Sequence, residues 1–336
     1  AAIPASAGWN AGDGVPYDLS VTILAQNHEK WKTELLPKTY ICATMAKTNK
    51  EGVCMYQPLA DLLRPTTLDE VFGQDHILAP GAVLRRLIDS GNVPNMVFYG
   101  PSGTGKTTVA RIMADILKAL GAVSNGQMIE ADRSRLVAGF AGQTSIKTNQ
   151  LIDSAIGGVL FIDEAYTLYQ GDNDIFGKEA IDTLLKRLED DRGKFICIVA
   201  GYTDEMHRFI SSNPGLKSRF NKTVHFEDYN PDELTQIFLN LAQKNNFVVS
   251  PLAQQSLKLH LEKVYSTRDH NFGNARDVRT LFENATSNQS KRLAGITDSP
   301  SFRQEMMYEL TEEDIIGTGK TKAKTLDEVL AELDDF

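Results

Sequence analysis

The side chains that build disulfide frameworks and metal clusters are scarce in this 336-residue sequence. Its three cysteines, Cys42, Cys54 and Cys197, stand at wide spacings that exclude a disulfide framework and a four-ligand zinc site. The six histidines show no metal-ligand spacing either. No apolar run is long enough to cross a bilayer, and the first residues lack the charged and apolar regions of a signal peptide. Together these features predict a protein of the cytoplasm, or of the soluble phase of an organelle, without a membrane partner.

An excess of positive charge is also missing. The formal net charge is −9 at pH 7, from 35 basic and 44 acidic residues. Nucleic acid is therefore not the first partner to expect, although a local basic patch is compatible with an acidic total. Hydrophobic residues make up 42% of the chain, as in globular proteins, and the length is sufficient for two or three packed units.

The order of the predicted elements indicates the fold class. Near-continuous apolar segments such as NMVFYG, GGVLFIDEA and FICIVAG alternate with helical patterns up to about residue 229. Buried apolar strands separated by helices are typical of a parallel sheet that is covered on both faces. From Pro231 to about residue 294 only helical patterns follow. The sequence therefore predicts an α/β fold, an αβα sandwich with a parallel sheet, followed by a small all-α domain.

The segment GPSGTGKT at residues 100–107 contains the full G-x-x-x-x-G-K-[ST] pattern between a strand and a helix. In such a P-loop, backbone N–H groups surround phosphate oxygens at the positive end of the helix. Lys106 would reach the outer phosphates, and the Thr107 hydroxyl would bind Mg²⁺. We therefore predict a P-loop NTPase that binds ATP or ADP with Mg²⁺ through Pro101, Ser102, Gly103, Thr104, Gly105, Lys106, Thr107 and Thr108.

Two carboxylates follow the apolar segment VLFI at the end of another predicted strand. Asp163 would hold Mg²⁺ through its water shell, and Glu164 would be the general base that activates the attacking water. The alternative is a solvated strand end without a chemical role. The P-loop upstream favours the catalytic interpretation.

A second GTGKT occurs at residues 317–321, but it lacks the rest of the pattern. Asp314 stands where the first glycine of a P-loop is required, and the preceding EEDII is acidic and too short for a buried strand. We predict a flexible linker here.

These motifs resemble the AAA+ ATPases over about residues 56–316. From about residue 119, segments such as EADRSRLVAGFAGQT and VAGYTDEMHRFISSNPGLKSRF resemble the CbxX/CfqX family, which includes red-type Rubisco activase and a stage V sporulation protein. Residues 55–118 are similar instead to replication-associated recombination ATPases, the recombination protein A type related to clamp loaders. A fusion, or drift of one family toward the other's front end, would produce this combination.

The resemblance implies roles for single residues around the nucleotide. By analogy Arg219 is an arginine finger that acts on a neighbouring subunit, Thr203 is a polar residue that places the lytic water, with Tyr202 as the alternative, and Arg276 senses the nucleotide from the helical domain. A surface ion pair for Arg219 and a helix-start position without function for Arg276 are the structural alternatives. The relatives also place adenine against the segment Val71, Phe72, Gly73 and Gln74.

The segment LVAGFAGQT resembles the pore loop with which ring-forming AAA+ remodellers grip an extended polypeptide. Phe140, Ala141 and Gly142 would form this loop, since an exposed aromatic side chain packs against many peptide sequences. A buried loop anchor is the alternative for Phe140. The resemblance implies a homo-oligomer, with a hexamer favoured, that hydrolyses ATP to remodel a protein substrate.

Two other functions fit the same motifs. One is a DNA-associated switch of the clamp-loader type, and the other is a weakly hydrolysing regulatory subunit. By domain, we expect an N-terminal segment of unassigned role at 1–54, a large nucleotide-binding domain at 55–229, a helical lid at 230–295, and a linker at 296–336. The linker ends in KTLDEVLAELDDF, which resembles the first helix of a further module.

Overall fold

The computed structural model describes residues 46–48, 54–56, 65, 67–140, 142–171, 173–294 and 303–317. The chain divides into two compact units, residues 1–62 and 63–336. In the first unit, β1 (Ala46–Thr48) pairs antiparallel with β2 (Cys54–Tyr56). No strand was predicted in the N-terminal segment 1–54, because three residues are too few for a period-two pattern. The rest of the segment 1–54 and residues 318–336 lie outside the described residues.

A five-stranded parallel sheet forms the centre of the second unit. Its strands, in chain order, are β3 (Met96–Tyr99), β4 (Met128–Ala131), β5 (Val159–Ile162), β6 (Ile196–Gly201) and β7 (Lys222–His225). Their order across the sheet is β4-β5-β6-β3-β7, and Val97 of β3 lies opposite Val199 and Thr223. Ligands of open parallel sheets bind beyond the carboxyl ends of the strands. The P-loop follows β3 and Asp163 follows β5, so both lie at this edge.

Apolar side chains on both faces of the sheet pack against helices. Phe98, Phe161 and Ile198 contact one layer, and their neighbours Val97, Leu160 and Val199 contact the other, as alternation along a strand requires. The predicted αβα sandwich is confirmed. The helices of this domain are α1 (Asp75–Leu78), α2 (Val83–Asp89), α3 (Lys106–Ala119), α4 (Arg133–Leu136), α5 (Gln143–Ala155), α6 (Ile175–Asp190), α7 (Thr203–Ser211) and α8 (Pro214–Arg219).

The predicted helical domain follows the sheet. It contains α9 (Pro231–Lys244), α10 (Pro251–Ser266) and α11 (Ala275–Ala294). Asn230 begins α9 with a reciprocal capping box to Glu233, which explains why the chain changes to helix at this point. Among the described residues, no helix combines the length and apolar character needed to cross a bilayer.

The helical domain continues past residue 295, where the sequence analysis ended it. Residues 309–310 form β9 (Glu309–Leu310), which pairs in parallel with β8 (Val248–Val249), and EEDII is helix α12 (Glu312–Ile316). Asp314 is 1% exposed and forms an ion pair with Arg292, with Nη2–Oδ2 at 2.7 Å. The acidic run therefore belongs to a packed helix, because a distant arginine compensates its buried charge. Gly317 ends α12, and the rest of the second GTGKT lies outside the described residues.

Candidate active site

A cavity of about 410 Å³ lies beyond the carboxyl ends of β3, β5 and β6, against α9 and α11 of the helical domain. Its wall includes the P-loop, the two carboxylates after β5, and residues from the segment before α1. The structure therefore brings together twelve of the predicted site residues: Val71, Phe72, Ser102, Gly103, Thr104, Gly105, Lys106, Thr107, Thr108, Asp163, Glu164 and Arg276.

Two glycines of the P-loop are required by close backbone contacts. A Cβ atom on Gly100 would collide with the carbonyl oxygen of Phe226, and one on Gly103 would collide with the carbonyl oxygen of Gly273. Gly103 also has a φ of 71°, which side chains disfavour. The P-loop is thus held between the end of β7 and the start of α11, and its shape depends on both domains.

Lys106 is the first residue of α3 and turns back over the P-loop. Its Nζ donates hydrogen bonds to the carbonyl oxygens of Gly100 at 2.7 Å and Pro101 at 2.6 Å. The pKa of Lys106 is lowered to about 8, mainly by burial; the charge of Asp163 opposes this shift, and the charge of Arg276 contributes to it. An anionic ligand in the cavity would stabilise the charged ammonium group, so phosphate binding and protonation of Lys106 are coupled.

The two carboxylates are held differently. Asp163 Oδ1 accepts a hydrogen bond from the Glu164 backbone N–H at 3.0 Å. Glu164 has φ 48° and ψ 42°, a left-handed conformation that is uncommon outside glycine. Thr167 stabilises this conformation, since its N–H and its Oγ1 donate to the Glu164 carbonyl oxygen at 2.8 and 2.7 Å. Glu164 therefore lines the cavity from a fixed backbone.

The side chains available for a metal are oxygen donors. The Thr107 hydroxyl and the Asp163 carboxylate both line the cavity. In the described ranges, no cluster of three or more His, Cys, Asp or Glu side chains could hold a metal alone. This donor set fits Mg²⁺, which is usually bound by one or two protein groups together with substrate phosphates and water.

Asn274, which the sequence analysis did not single out, connects the helical domain to the P-loop. It is fully buried with φ 52°. Its Nδ2 donates to the Ser102 carbonyl oxygen at 3.1 Å and to Asp228 Oδ1 at 2.8 Å, and its Oδ1 accepts from the Tyr229 N–H at 2.9 Å. The position just before a helix is a capping signal, but these distant partners leave no trace in the local sequence.

Four further charged residues, Glu70, Glu130, Lys244 and Arg279, line the cavity and were not predicted. Glu130 at β4 forms an ion pair with Arg111, and Lys244 at the end of α9 binds Glu70 with Nζ–Oε2 at 3.0 Å. Arg279 lies one helical turn after Arg276 on α11, so α11 presents two arginines to the cavity.

Some predicted residues lie near the cavity but do not line it. Gln74 is buried. Its Nε2 donates to the Glu227 carbonyl oxygen at 2.8 Å, and its Oε1 accepts from the Glu227 N–H at 3.1 Å. Its contacts therefore join the segment before α1 to the end of β7. Gly73 and Pro101 also lie outside the lining, as does Thr203, whereas the alternative Tyr202 lines the cavity at the end of β6.

Arg219 and Phe140 lie outside the cavity altogether. Arg219 ends α8, and its Nη2 donates to Glu189 Oε2 at 3.0 Å. Phe140, between α4 and α5, is 72% exposed, which is incompatible with the alternative of a buried loop anchor. Gly142 precedes α5 with φ 79°, and Ala141 lies outside the described residues.

Two family models match the chain. The model of the ATPase family associated with various cellular activities, AAA, matches residues 96–228, and the AAA lid domain model matches residues 230–325. These ranges contain the parallel sheet and the helical domain respectively. The second range also includes residues 303–317, in agreement with their packing on α11.

Several curated proteins are similar in sequence. Stage V sporulation protein K of Bacillus subtilis is 44% identical over 59% of this chain and 62% of its own length. The chloroplastic ribulose bisphosphate carboxylase/oxygenase activase of Cyanidioschyzon merolae is 44% identical over 59% of this chain and 68% of its own. ESX-1 secretion system protein EccA1 of Mycolicibacterium smegmatis is 41% identical over 66% of this chain. The match spans 40% of the length of EccA1.

Among solved structures, the Thermotoga maritima RuvB Holliday junction branch migration motor superposes with a TM-score of 0.53 at 20% identity. The superposition covers 76% of this chain and 71% of RuvB. At this identity the likeness establishes the shared fold. The predicted resemblance to the CbxX/CfqX proteins is confirmed by these matches, and the separate resemblance of residues 55–118 stays a prediction.

Proposed function

We propose that this chain, which belongs to the AAA ATPase family and is of the CbxX/CfqX type, hydrolyses ATP with Mg²⁺. In this proposal the chain acts as an oligomer that remodels a protein substrate through a central pore. The cavity supports the first part of this proposal, the hydrolysis of ATP. It collects the P-loop, both carboxylates after β5 and an arginine of the helical domain in one space of about 410 Å³.

Each residue of the cavity has a role in this reaction. Lys106 would bind the outer phosphates, the backbone N–H groups of the P-loop would bind their oxygens, and Glu164 would take a proton from the attacking water. Thr107 and Asp163 would hold Mg²⁺, which neutralises the charge of the phosphates when it is bound. Arg276 would contact the nucleotide from α11 and link its state to the position of the helical domain.

The proposed oligomer rests on Arg219. This residue lies outside the cavity of its own chain, so its guanidinium could stabilise transition-state charge only at a neighbour's nucleotide. Its ion pair with Glu189 holds the side chain at the end of α8. Turnover would then require assembly.

The proposed protein substrate rests on a single observation, the exposure of Phe140 on a glycine-flanked loop. An aromatic ring that is 72% exposed is free to pack against a second molecule. Such a ring makes few sequence demands on a peptide, which suits a motor that pulls on extended chains.

Phe140→Ala tests the substrate proposal. We expect this variant to keep its ATP turnover but to lose the unfolding of green fluorescent protein that carries an unstructured tail, measured as loss of fluorescence. Phe140→Tyr retains the ring and should remain active. Leu259→Ala, which removes a side chain that is 66% exposed on α10, is the matched control and should change neither activity.

Other results would favour the other functions. Unfolding that persists in Phe140→Ala would contradict the pore proposal. ATP turnover that rises with duplex DNA and falls steeply with salt would favour the DNA-associated switch. Turnover that is already negligible, and unchanged in Glu164→Gln, would favour a regulatory subunit. The mass in solution with and without ATP separately tests the oligomer.

A further inference from the structure

Arg133 joins three segments that are separate in sequence. It is the first residue of α4, the short helix that leads to the Phe140 loop, here residues 137–142. Its Nη1 donates to the Thr167 carbonyl oxygen at 2.7 Å and to Asp174 Oδ2 at 2.7 Å, and its Nη2 donates to Asp174 Oδ1 at 3.0 Å. The side chain is only 25% exposed. A two-pronged contact of this kind fixes orientation as well as distance.

The first of these contacts leads to the proposed general base. Thr167 lies in the turn after β5, and its N–H and Oγ1 both donate to the Glu164 carbonyl oxygen. Glu164 is held by these bonds in its left-handed conformation, which is a backbone state of higher energy for a side chain of this type. Arg133 donates a hydrogen bond to the carbonyl oxygen of the same Thr167, so Thr167 links Glu164 to α4.

The second contact leads to the start of α6. Asp174 caps this helix, since its Oδ1 accepts from the Gly177 N–H at 3.0 Å, and the hydrogen bonds from Arg133 lower the pKa of Asp174. The next residue, Ile175, is 73% exposed. A Cβ atom on Gly177 would collide with the Leu168 carbonyl oxygen and with Asp174, so glycine is needed for this close approach.

The end of α4 and the start of the Phe140 loop are tied to α5 by hydrogen bonds. Lys147 Nζ donates to the carbonyl oxygens of Ser134 at 2.6 Å and Val137 at 2.9 Å. The Ala138 N–H donates to Thr144 Oγ1 at 3.1 Å. A displacement of α4 would therefore be passed to the loop rather than absorbed in it.

We propose that Arg133 is a positioning residue that couples the backbone of Glu164 to the Phe140 loop and to the exposed start of α6. A nucleotide that shifts Glu164 would move Thr167, and Arg133 would carry this shift to α4 and Asp174 together. The inference rests on the proposed function for the role of the loop. It concerns only how the loop responds to nucleotide, which can be measured without a protein substrate.

Hydrogen exchange of the full chain tests this coupling. In the unsubstituted protein, we expect a non-hydrolysable ATP analogue to change the exchange rate of the amides at 137–143 by about fivefold, in the range of ordinary coupling between sites. In Arg133→Ala the analogue should bind with little change in affinity while the loop no longer responds. Arg133→Lys, which retains the charge but not the two-pronged geometry, should restore part of the response.

Arg187→Ala is the matched control. Arg187 is also largely buried and also contacts two carboxylates, Asp153 at 2.7 Å and Asp191 at 2.5 Å, but these contacts join α5 to the end of α6 and do not involve Thr167. It should lose stability and keep the response of the loop. Asp174→Asn, which preserves the helix cap, provides a second variant if Arg133→Ala fails to fold, and it should weaken the response.

Three outcomes would overturn the inference. The first is a loop that does not respond to nucleotide in the unsubstituted protein. The second is a full response of the loop in Arg133→Ala or in Asp174→Asn. The third is a loss of response in Arg187→Ala that equals the loss in Arg133→Ala. The proposed function fails separately, since a loop that responds to nucleotide through Arg133 could still leave the tailed fluorescent protein folded.

Discussion

The cavity and the outer surface of the large domain differ in what their charged and aromatic side chains contact. Around the cavity, Lys106, Asp163 and Arg276 face one space and act on each other's charge. On the outer surface, Arg219 pairs with Glu189 and Phe140 points into solvent. In the proposed function, one chain assembles the groups that bind a nucleotide, whereas the outer groups would act on a second molecule. Predictions about nucleotide binding and stability should hold in dilute protein, and predictions about turnover and the outer surface should depend on assembly.

The largest effect is expected at Arg219. Arg219→Ala should lower kcat for ATP by about 10³-fold in the assembled protein, because an arginine finger stabilises charge that develops only in the transition state. Nucleotide affinity, measured with a fluorescent ATP analogue, should stay the same. Glu189→Ala removes the ion-pair partner without the arginine and should leave turnover nearly unchanged.

Mixing two inactive variants sharpens this prediction. Arg219→Ala retains Glu164, and Glu164→Gln retains Arg219, so mixed oligomers would contain sites with both groups intact. We expect part of the turnover to return on mixing. A mixture that stays inactive would indicate that Arg219 acts within its own chain, and the contrast between cavity and surface would fail.

Glu164→Gln should lower kcat by about 10²-fold or more, since the amide cannot accept a proton from water. ATP binding should persist, because the P-loop contacts do not involve this side chain. Single-turnover measurements with radiolabelled ATP would separate the chemical step from binding. Loss of binding together with turnover would place Glu164 in a structural role instead.

Asn274→Ala should lower the free energy of unfolding by about 2–3 kcal/mol, because it leaves buried hydrogen-bonding groups without partners. It should also weaken nucleotide binding, since the P-loop would lose a contact with the helical domain. Glycine adopts a φ of 52° without strain, so Asn274→Gly separates the loss of the hydrogen bonds from any strain in the backbone. Equal stability of Asn274→Gly and the unsubstituted protein in urea would contradict the proposed role.

The smallest effect is a proton taken up when nucleotide binds. The pKa of Lys106 is about 8 in the structure, so at pH 8 about half of the molecules carry a neutral lysine. Bound phosphates would raise this pKa, and binding should then take up about half a proton at pH 8 and almost none at pH 6. Calorimetry in buffers of different ionisation enthalpy measures this uptake. Lys106→Met should abolish it, and uptake at pH 6 that equals uptake at pH 8 would point to another group.

Much of the cavity was predictable because its motifs are local. The P-loop at 100–107 and the pair Asp163 and Glu164 each follow an apolar strand, and parallel strands bring their carboxyl ends to one edge. The contacts of Asn274 were not predictable, since its partner Ser102 lies 172 residues away. The packing of α12 was not predictable either, because Asp314 belongs to an acidic run and only the tertiary structure places Arg292 beside it.

The amino-acid sequence alone was enough to identify the fold class, the P-loop and its carboxylates, because these depend on short patterns of glycine, charge and apolar period. Tertiary structure decided which side chain faces which space. Tyr202 lines the cavity and its neighbour Thr203 does not, and Phe140 is exposed, whereas its surroundings in the chain left a buried position open as the alternative. Exposure is set by every element that packs around a residue, and most of those elements lie far away in sequence.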